Sequence, residues 1–173
     1  MPAMCSVIAV GLLALLGLTA FQVTTIGEAE PVTEPLGAEC RPTHANGMTP
    51  PSEEASPLHH GDGLLYTNLW PDGEVLADPA FVEPDGSIGM KWPWWRAPGV
   101  GEAGDLVITG RELVTGAAIR SAIPDGYGQR FQASGILFPD EGCYEVTARS
   151  GDASLTFITK VTKVDGASRA DPP

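Results

Sequence analysis

Residues 138–164, FPDEGCYEVTARSGDASLTFITKVTKV, are the stretch that decides the fold. Apolar and polar residues alternate over 143–149 and again over 153–164, the period that places successive side chains on opposite faces of a β-strand. Between the two runs stands Ser150-Gly151-Asp152, and a Gly-Asp pair in this position supplies the positive φ angles of a tight hairpin turn. The stretch therefore predicts two antiparallel neighbouring strands.

The two strands also predict a buried face and a corner. One face of the first strand carries Tyr144, Val146 and Ala148, and one face of the second carries Leu155, Phe157 and Val161. The spacing of Asp140, Gly142 and Tyr144 is that of the tyrosine corner of immunoglobulin-like sandwiches, although Val146 stands where antibody domains have their second cysteine. We expect the Tyr144 hydroxyl to bond a backbone group a few residues upstream.

Upstream of this hairpin, further short alternating runs predict more strands. They lie at 64–70, 74–77, 87–92, 105–111, 117–123 and 131–138. Three Pro-Asp-Gly triplets mark turns between them, and Pro93 is expected to disrupt the pairing of the strand before it because proline has no amide proton. The sequence predicts an all-β, immunoglobulin-like β-sandwich of about seven or eight strands.

The remaining segments flank this domain. Residues 1–23 contain an uncharged apolar run and predict a signal peptide, or an N-terminal membrane anchor if the segment is not cleaved. Residues 24–39 are expected to form a disordered linker and residues 165–173 a disordered tail. The domain itself is expected over 40–164, with its core in 61–164.

Charge and cysteines restrict where the domain works. The chain has 10 Lys and Arg against 22 Asp and Glu, a formal charge of −12, which disfavours binding to nucleic acid or to an anionic membrane surface. Contact with a membrane is expected only through the N-terminal segment. Of the three cysteines, Cys5 lies in the leader, so Cys40 and Cys143 are predicted to form a disulfide in an oxidising compartment.

Several motifs resemble a group of bacterial exported proteins and lipoproteins that has no assigned activity. They are C-x-x-T-x-x-N-G from Cys40, LWPDG from Leu69, KWPWWR from Lys91, ITGR from Ile108, IPDGYG from Ile123 and GCYEVT from Gly142. The group often has tryptophan in place of Tyr144, and many of its members carry a lipid-anchoring cysteine that has no counterpart here. The resemblance implies an extracytoplasmic domain and supplies no activity.

The densest aromatic group in the chain is the candidate ligand site. It comprises Trp92, Trp94, Trp95 and Arg96. Because residues two apart share a face of a strand, Trp95 should lie opposite Trp92 and Trp94, and at least one indole should be outside the core. An exposed indole beside Arg96 can stack on a sugar or clasp a proline-rich peptide, while the alternative is that all of them pack in the core or at a sheet edge.

Catalytic and metal-binding patterns are weak. His44, His59, His60 and Asp62 lack regular ligand spacing and lie in segments interpreted as polar loops, so no metal and no cofactor are predicted. No nucleophile elbow, zinc-protease motif or phosphate loop occurs. We interpret the chain as a secreted or cell-surface binding or accessory module for an envelope protein or glycan, not an enzyme. The alternatives are a purely structural envelope domain and a hydrolase with an unmarked site.

Overall fold

The computed structural model describes residues 39–51, 53–101 and 105–165. The predicted leader, nearly all of the predicted linker, and the predicted tail beyond Asp165 lie outside the described residues. Within the described ranges, no helix is long and apolar enough to cross a membrane.

Nine β-strands make up the described part of the chain. They are β1 (His59–Gly61), β2 (Leu65–Asn68), β3 (Glu74–Ala77), β4 (Ile88–Arg96), β5 (Val107–Glu112), β6 (Arg120–Ala122), β7 (Phe131–Phe138), β8 (Gly142–Ser150) and β9 (Ala153–Lys163). Short 3₁₀ turns at Pro71–Gly73 and Pro79–Phe81 flank β3. The predicted strands are all found, and the additional one is the three-residue β1, in a segment interpreted as loop from its polar composition.

The strands form the two sheets of a β-sandwich. One sheet has the order β1-β2-β4-β7-β6 and the other β3-β9-β8-β5. The run β2-β4-β7-β6 follows the order of strands A, B, E and D of the immunoglobulin fold, and β9-β8-β5 follows G, F and C. All neighbouring pairs are antiparallel except β3 and β9, which are parallel. The fold class predicted from the sequence is confirmed.

The β8–β9 hairpin has the geometry that the sequence indicates. Ser150 pairs with Ala153 across a two-residue turn. Gly151 has a φ of 55°, whereas Asp152 is not among the residues with positive φ, which is the arrangement of a turn with glycine in its first central position. The apolar faces of both strands are buried between the sheets against β4 and β7.

Tyr144 forms a corner at the start of β8. Its hydroxyl donates a hydrogen bond of 2.7 Å to the carbonyl oxygen of Asp140, and its buried ring meets that of Phe138 edge-to-face at 4.9 Å between centroids. Gly142 leaves room beside this corner, since a Cβ there would lie 2.9 Å from Cγ of Glu112. The hydroxyl partner and the burial of the ring match the geometry expected of a tyrosine corner.

A disulfide holds the segment before β1 against the sandwich. Cys40 and Cys143 are bonded across 103 residues of sequence, so the predicted disulfide is confirmed. Residues 40–48, which we call the strap, then run along the edge of the four-stranded sheet, where Thr43 exchanges hydrogen bonds with the backbone of Ile158. Asn46 reaches the other sheet through two hydrogen bonds with Gly61. The strap therefore connects both sheets.

Candidate binding groove

The predicted aromatic site lies on β4 and is buried. Trp92 is 1% exposed, Trp94 1%, Trp95 9% and Arg96 2%. Trp92 and Trp94 belong to the core cluster and Trp95 does not, as the alternation predicts, but Trp95 is buried as well, so none of these three indoles is exposed. The expectation that Pro93 disrupts the strand pairing is wrong for β7, which pairs with β4 through Pro93, whereas the pairing of β4 with β2 does stop beside it, at Trp94.

Trp92 and Trp94 fill the space between the sheets. Their rings contact Phe157 of the opposite sheet, with centroid distances of 5.4 and 6.1 Å. The indole nitrogen of Trp94 donates a hydrogen bond of 2.9 Å to Oγ of Ser134 on β7. Both residues occupy the core face of β4, as the alternation of its side chains requires.

Trp95 faces away from the core and is covered by residues distant in sequence. Its ring packs edge-on against His59 at 5.8 Å and against Phe131 at 5.4 Å between centroids. Its indole nitrogen donates a hydrogen bond of 3.0 Å to Oε1 of Glu53. The loop before β1 thus buries the indole that the alternation of β4 places outside.

Arg96 is held inside the fold by oxygen acceptors. Its guanidinium donates to the carbonyl oxygen of Gln129 at 2.9 Å and to Oε1 of Gln132. Burial lowers the pKa of Arg96, and the charge of Asp105 acts in the opposite direction. The guanidinium therefore holds the segment before β7 in place. The ligand role predicted for Trp92, Trp94, Trp95 and Arg96 stays a prediction.

Pro93 determines where β2 and β4 separate. The pairing of these strands ends at Thr67 and Trp94, and the carbonyl oxygen of Pro93 accepts a hydrogen bond from the Thr67 hydroxyl at 2.8 Å. With no amide proton on Pro93, the ladder has no donor at the next position. A cleft of about 230 Å³ opens here, lined in part by Asn68, Trp92 and Pro93. We call it the narrow cleft.

A larger apolar groove lies on the outer face of the same sheet. Its volume is about 760 Å³, and its lining includes Trp70, Phe81, Gly89, Lys91, Arg120 and Gly135. We call it the outer groove. It adjoins the narrow cleft, because Trp70 and Lys91 line both.

Two glycines keep the outer groove open. Gly89 pairs with Leu137, and Gly135 pairs with Lys91, so the two glycines are diagonal neighbours on the outer face of β4 and β7. A Cβ at Gly135 would have a single atom within 4 Å, the carbonyl oxygen of Ala122 at 3.9 Å. Side chains at these positions would fill the groove without a clash at Gly135.

Exposed aromatic side chains border the outer groove. Trp70 is 39% exposed and Phe81 48%. The ring of Trp70 also meets that of the buried Trp92 edge-to-face, at 6.5 Å between centroids. Trp70, which lies two residues beyond the end of β2, therefore supplies an exposed indole in contact with Trp92.

The charges around the outer groove differ from one end to the other. Arg120 lies 3.9 Å from Asp85, whose pKa is held below its usual value by hydrogen bonds from Ser87. Glu83 is also near this end, 3.6 Å from the position of a Cβ at Gly89. Lys91, where the groove meets the narrow cleft, forms no ion pair with the described residues.

Two residues that line the narrow cleft, Asn68 and Trp92, each have a buried side-chain polar atom without a hydrogen-bond partner in the described part of the chain. Nε1 of Trp92, a donor, and Oδ1 of Asn68, an acceptor, are both buried, and neither has a partner among the described residues. Buried polar groups in folded proteins are nearly always paired. Because these two residues line the same cleft, a water or ligand group that enters it is a candidate partner for the donor and the acceptor.

The histidines do not form a metal site. His59 and His60 lie on β1, not in a loop, and burial lowers the pKa of His60. Within the described ranges, no group of three or more His, Cys, Asp or Glu side chains is placed to hold a metal ion.

The chain matches no model of a protein family and no curated protein.

The outer groove was not predicted from the sequence, although its signal is present. Glycine interrupts two alternating strands at Gly89 and Gly135, and glycine inside a strand often marks a close approach by a ligand.

Proposed function

We propose that this protein is an exported, extracytoplasmic β-sandwich module with a binding or accessory role at the cell envelope, and that the outer groove is its ligand site. The observation that carries the proposal is an apolar concavity of about 760 Å³ on a sheet face. Pockets of roughly 300–1,000 Å³ with mostly apolar walls are the usual sites for small ligands.

The two glycines favour binding over a purely structural role. Glycine inside a strand costs roughly 0.5–1 kcal/mol relative to alanine, and Gly89 and Gly135 are diagonal neighbours in paired strands. A domain that only supports other parts of the envelope gains nothing from an open groove between two such positions. A ligand that occupies the groove accounts for both.

Export is supported by three features. A disulfide such as Cys40–Cys143 is typical of oxidising compartments outside the cytoplasm. Residues 7–23 form an uncharged apolar run of the kind that directs export. The resemblance to bacterial exported proteins and lipoproteins points to the same location.

The site is tested by filling the groove. Binding of the uncharged apolar dye Nile red is titrated by fluorescence with the full chain and with Gly135→Val, after thermal melts show that both are folded. We expect the valine to weaken dye binding by about tenfold or more, which is about 1.4 kcal/mol. Ser154→Val places the same side chain on an exposed position of β9 and serves as the matched control.

Two results would contradict the proposal. One is a folded wild-type protein that does not bind the dye. The other is a Gly135→Val variant that binds it as tightly as the wild type and the Ser154→Val control do.

A further inference from the structure

We propose that the ligand of the outer groove is a monomeric anionic amphiphile, with its aliphatic chain in the groove and its charged head at Lys91, beside the narrow cleft. This inference rests on the function proposed above and adds the class of ligand. It follows from the charge distribution, the unpartnered atoms of the cleft and the nature of the groove floor.

The charge distribution places the head at one end. At the other end, Arg120 has an acidic neighbour, Asp85, at 3.9 Å in an exposed pair. Lys91 is exposed and forms no ion pair with the described residues. An anionic head at the junction of groove and cleft would pair with this lysine, while the chain would extend over Gly89 and Gly135.

The narrow cleft provides further recognition of the head. Trp92 is 1% exposed and lines the cleft, and its Nε1 donor has no partner among the described residues. The Oδ1 acceptor of Asn68 in the same cleft also has none. A head with an anionic oxygen and a neighbouring hydroxyl would satisfy both atoms, since the oxygen accepts from the indole and the hydroxyl donates to the amide oxygen.

The floor of the groove argues against a peptide or a glycan. It is formed by β4, β7 and β6, with β7 paired to both of the others, so the backbone of the central strand is engaged on both sides and an extended peptide lying over it finds few partners. A sugar would need several polar side chains, and the groove offers Ser121 besides its two cations. An aliphatic chain needs neither.

Net charge separates a single amphiphile from a membrane surface. The chain carries a formal charge of −12, which repels an extended anionic bilayer. One anionic head at Lys91 responds mainly to nearby charges, because salt screens interactions beyond about 8–10 Å. The occupant is therefore a monomer that has left the bilayer, and not the bilayer itself.

The head-group preference is measured with three amphiphiles that share a twelve-carbon chain. Dodecanoate, dodecyl maltoside and dodecyltrimethylammonium are titrated below their micelle concentrations into the full chain by calorimetry. We expect dodecanoate to bind at least about tenfold more tightly than the cation. Lys91→Gln should remove most of this preference, whereas Arg149→Gln, which removes an exposed charge on β8 of the other sheet, should leave it unchanged.

The role of the narrow cleft is tested by comparing the affinities of two ligands that differ by one hydroxyl group. We expect 2-hydroxydodecanoate to bind more tightly than dodecanoate, by about threefold to tenfold. Asn68→Ala should abolish the difference between the two while leaving dodecanoate itself bound. Equal affinities in the wild type would overturn the part assigned to the cleft.

The outcomes distinguish this inference from the proposed function on which it rests, ligand binding in the outer groove. Equal binding of all three head groups, with loss of binding in Gly135→Val, would overturn the anionic preference and keep the groove as a ligand site. Dye binding without dodecanoate binding would also overturn the anionic preference and keep the groove as a ligand site. Binding to anionic vesicles but not to monomeric dodecanoate would replace the amphiphile by a membrane surface, and the absence of both dye and amphiphile binding would remove both proposals.

Discussion

Nε1 of Trp95 donates a hydrogen bond of 3.0 Å to Oε1 of Glu53, 42 residues earlier in the chain. This bond fixes the loop before β1 over an indole that would otherwise face solvent. Since Glu53 is exposed while Trp95 is buried, the contact joins the surface of the domain to the outer side of β4.

Trp95→Phe tests this contact. Phenylalanine keeps an aromatic ring against His59 and Phe131 but removes the N–H group, so we expect a loss of about 1 kcal/mol in the free energy of unfolding. Denaturant unfolding measures it. Glu53→Ala should give a similar loss, while Glu54→Ala, at an exposed neighbouring position, should be within about 0.5 kcal/mol of the wild type. Equal stability of all variants would show that the bond contributes nothing.

Tyr144 is tested by two substitutions that separate its hydroxyl from its ring. Tyr144→Phe removes the hydrogen bond to Asp140 and should cost about 1 kcal/mol. Tyr144→Ala also leaves a cavity beside Phe138, and we expect a loss of about 3–5 kcal/mol. Melting temperatures report both. If neither variant melts below the wild type, the corner does not stabilise the fold.

The disulfide is tested by removing both sulfur atoms. Because it closes a loop across 103 residues, the chain-entropy model gives a stabilisation of about 4–5 kcal/mol. Cys40→Ala combined with Cys143→Ala should lose about this much free energy of unfolding, and a reductant should weaken the wild type but not the variant. Peptide mapping without reductant checks the bond directly, and two free thiols in protein from an oxidising compartment would contradict it.

Glu112 makes the stability of the domain depend on pH. Hydrogen bonds from Val114, Thr115 and Cys143 outweigh the effect of burial and lower the pKa of its carboxyl. A carboxyl with a lowered folded-state pKa stabilises the fold above its unfolded-state pKa, and this stability is lost as the pH falls through the folded-state value. We therefore expect Glu112→Gln to lower the melting temperature at pH 7 and to have a diminishing effect below about pH 4.

The control for this variant is a carboxyl that makes no such bonds. Asp125→Asn changes an exposed turn residue and should leave the melting temperature close to that of the wild type across the same pH range. A Glu112→Gln variant with the same deficit at acidic and neutral pH would contradict the assignment to ionisation.

The parts of the fold that were predicted correctly depend on nearby residues. The β8–β9 hairpin follows from alternation and from Gly151, and the corner at Tyr144 involves a partner four residues away. Each of these is encoded within a few residues. The disulfide followed from elimination, because Cys5 lies in the leader.

The parts that were missed depend on residues that only the fold brings together. Trp95 is covered by Glu53 and His59, and period-two alternation cannot show what lies above an outward-facing side chain. The outer groove arises from missing side chains at Gly89 and Gly135, 46 residues apart in sequence and diagonal in the β4–β7 register. Pro93 is tolerated inside β4 because its nitrogen points toward β2, and the pairing with β2 ends at Trp94. No ladder hydrogen bond is therefore required from Pro93.

The strap has a consequence for the order in which the sandwich assembles. Thr43 bonds to Ile158 over a separation of 115 residues, so its partner is made long after the strap itself. Contacts between such distant residues form slowly because a long loop must close first. In a chain that emerges from its N-terminus, the strap is made before the nine strands, and its bonds to Cys143 and Ile158 can form only after those residues have been made.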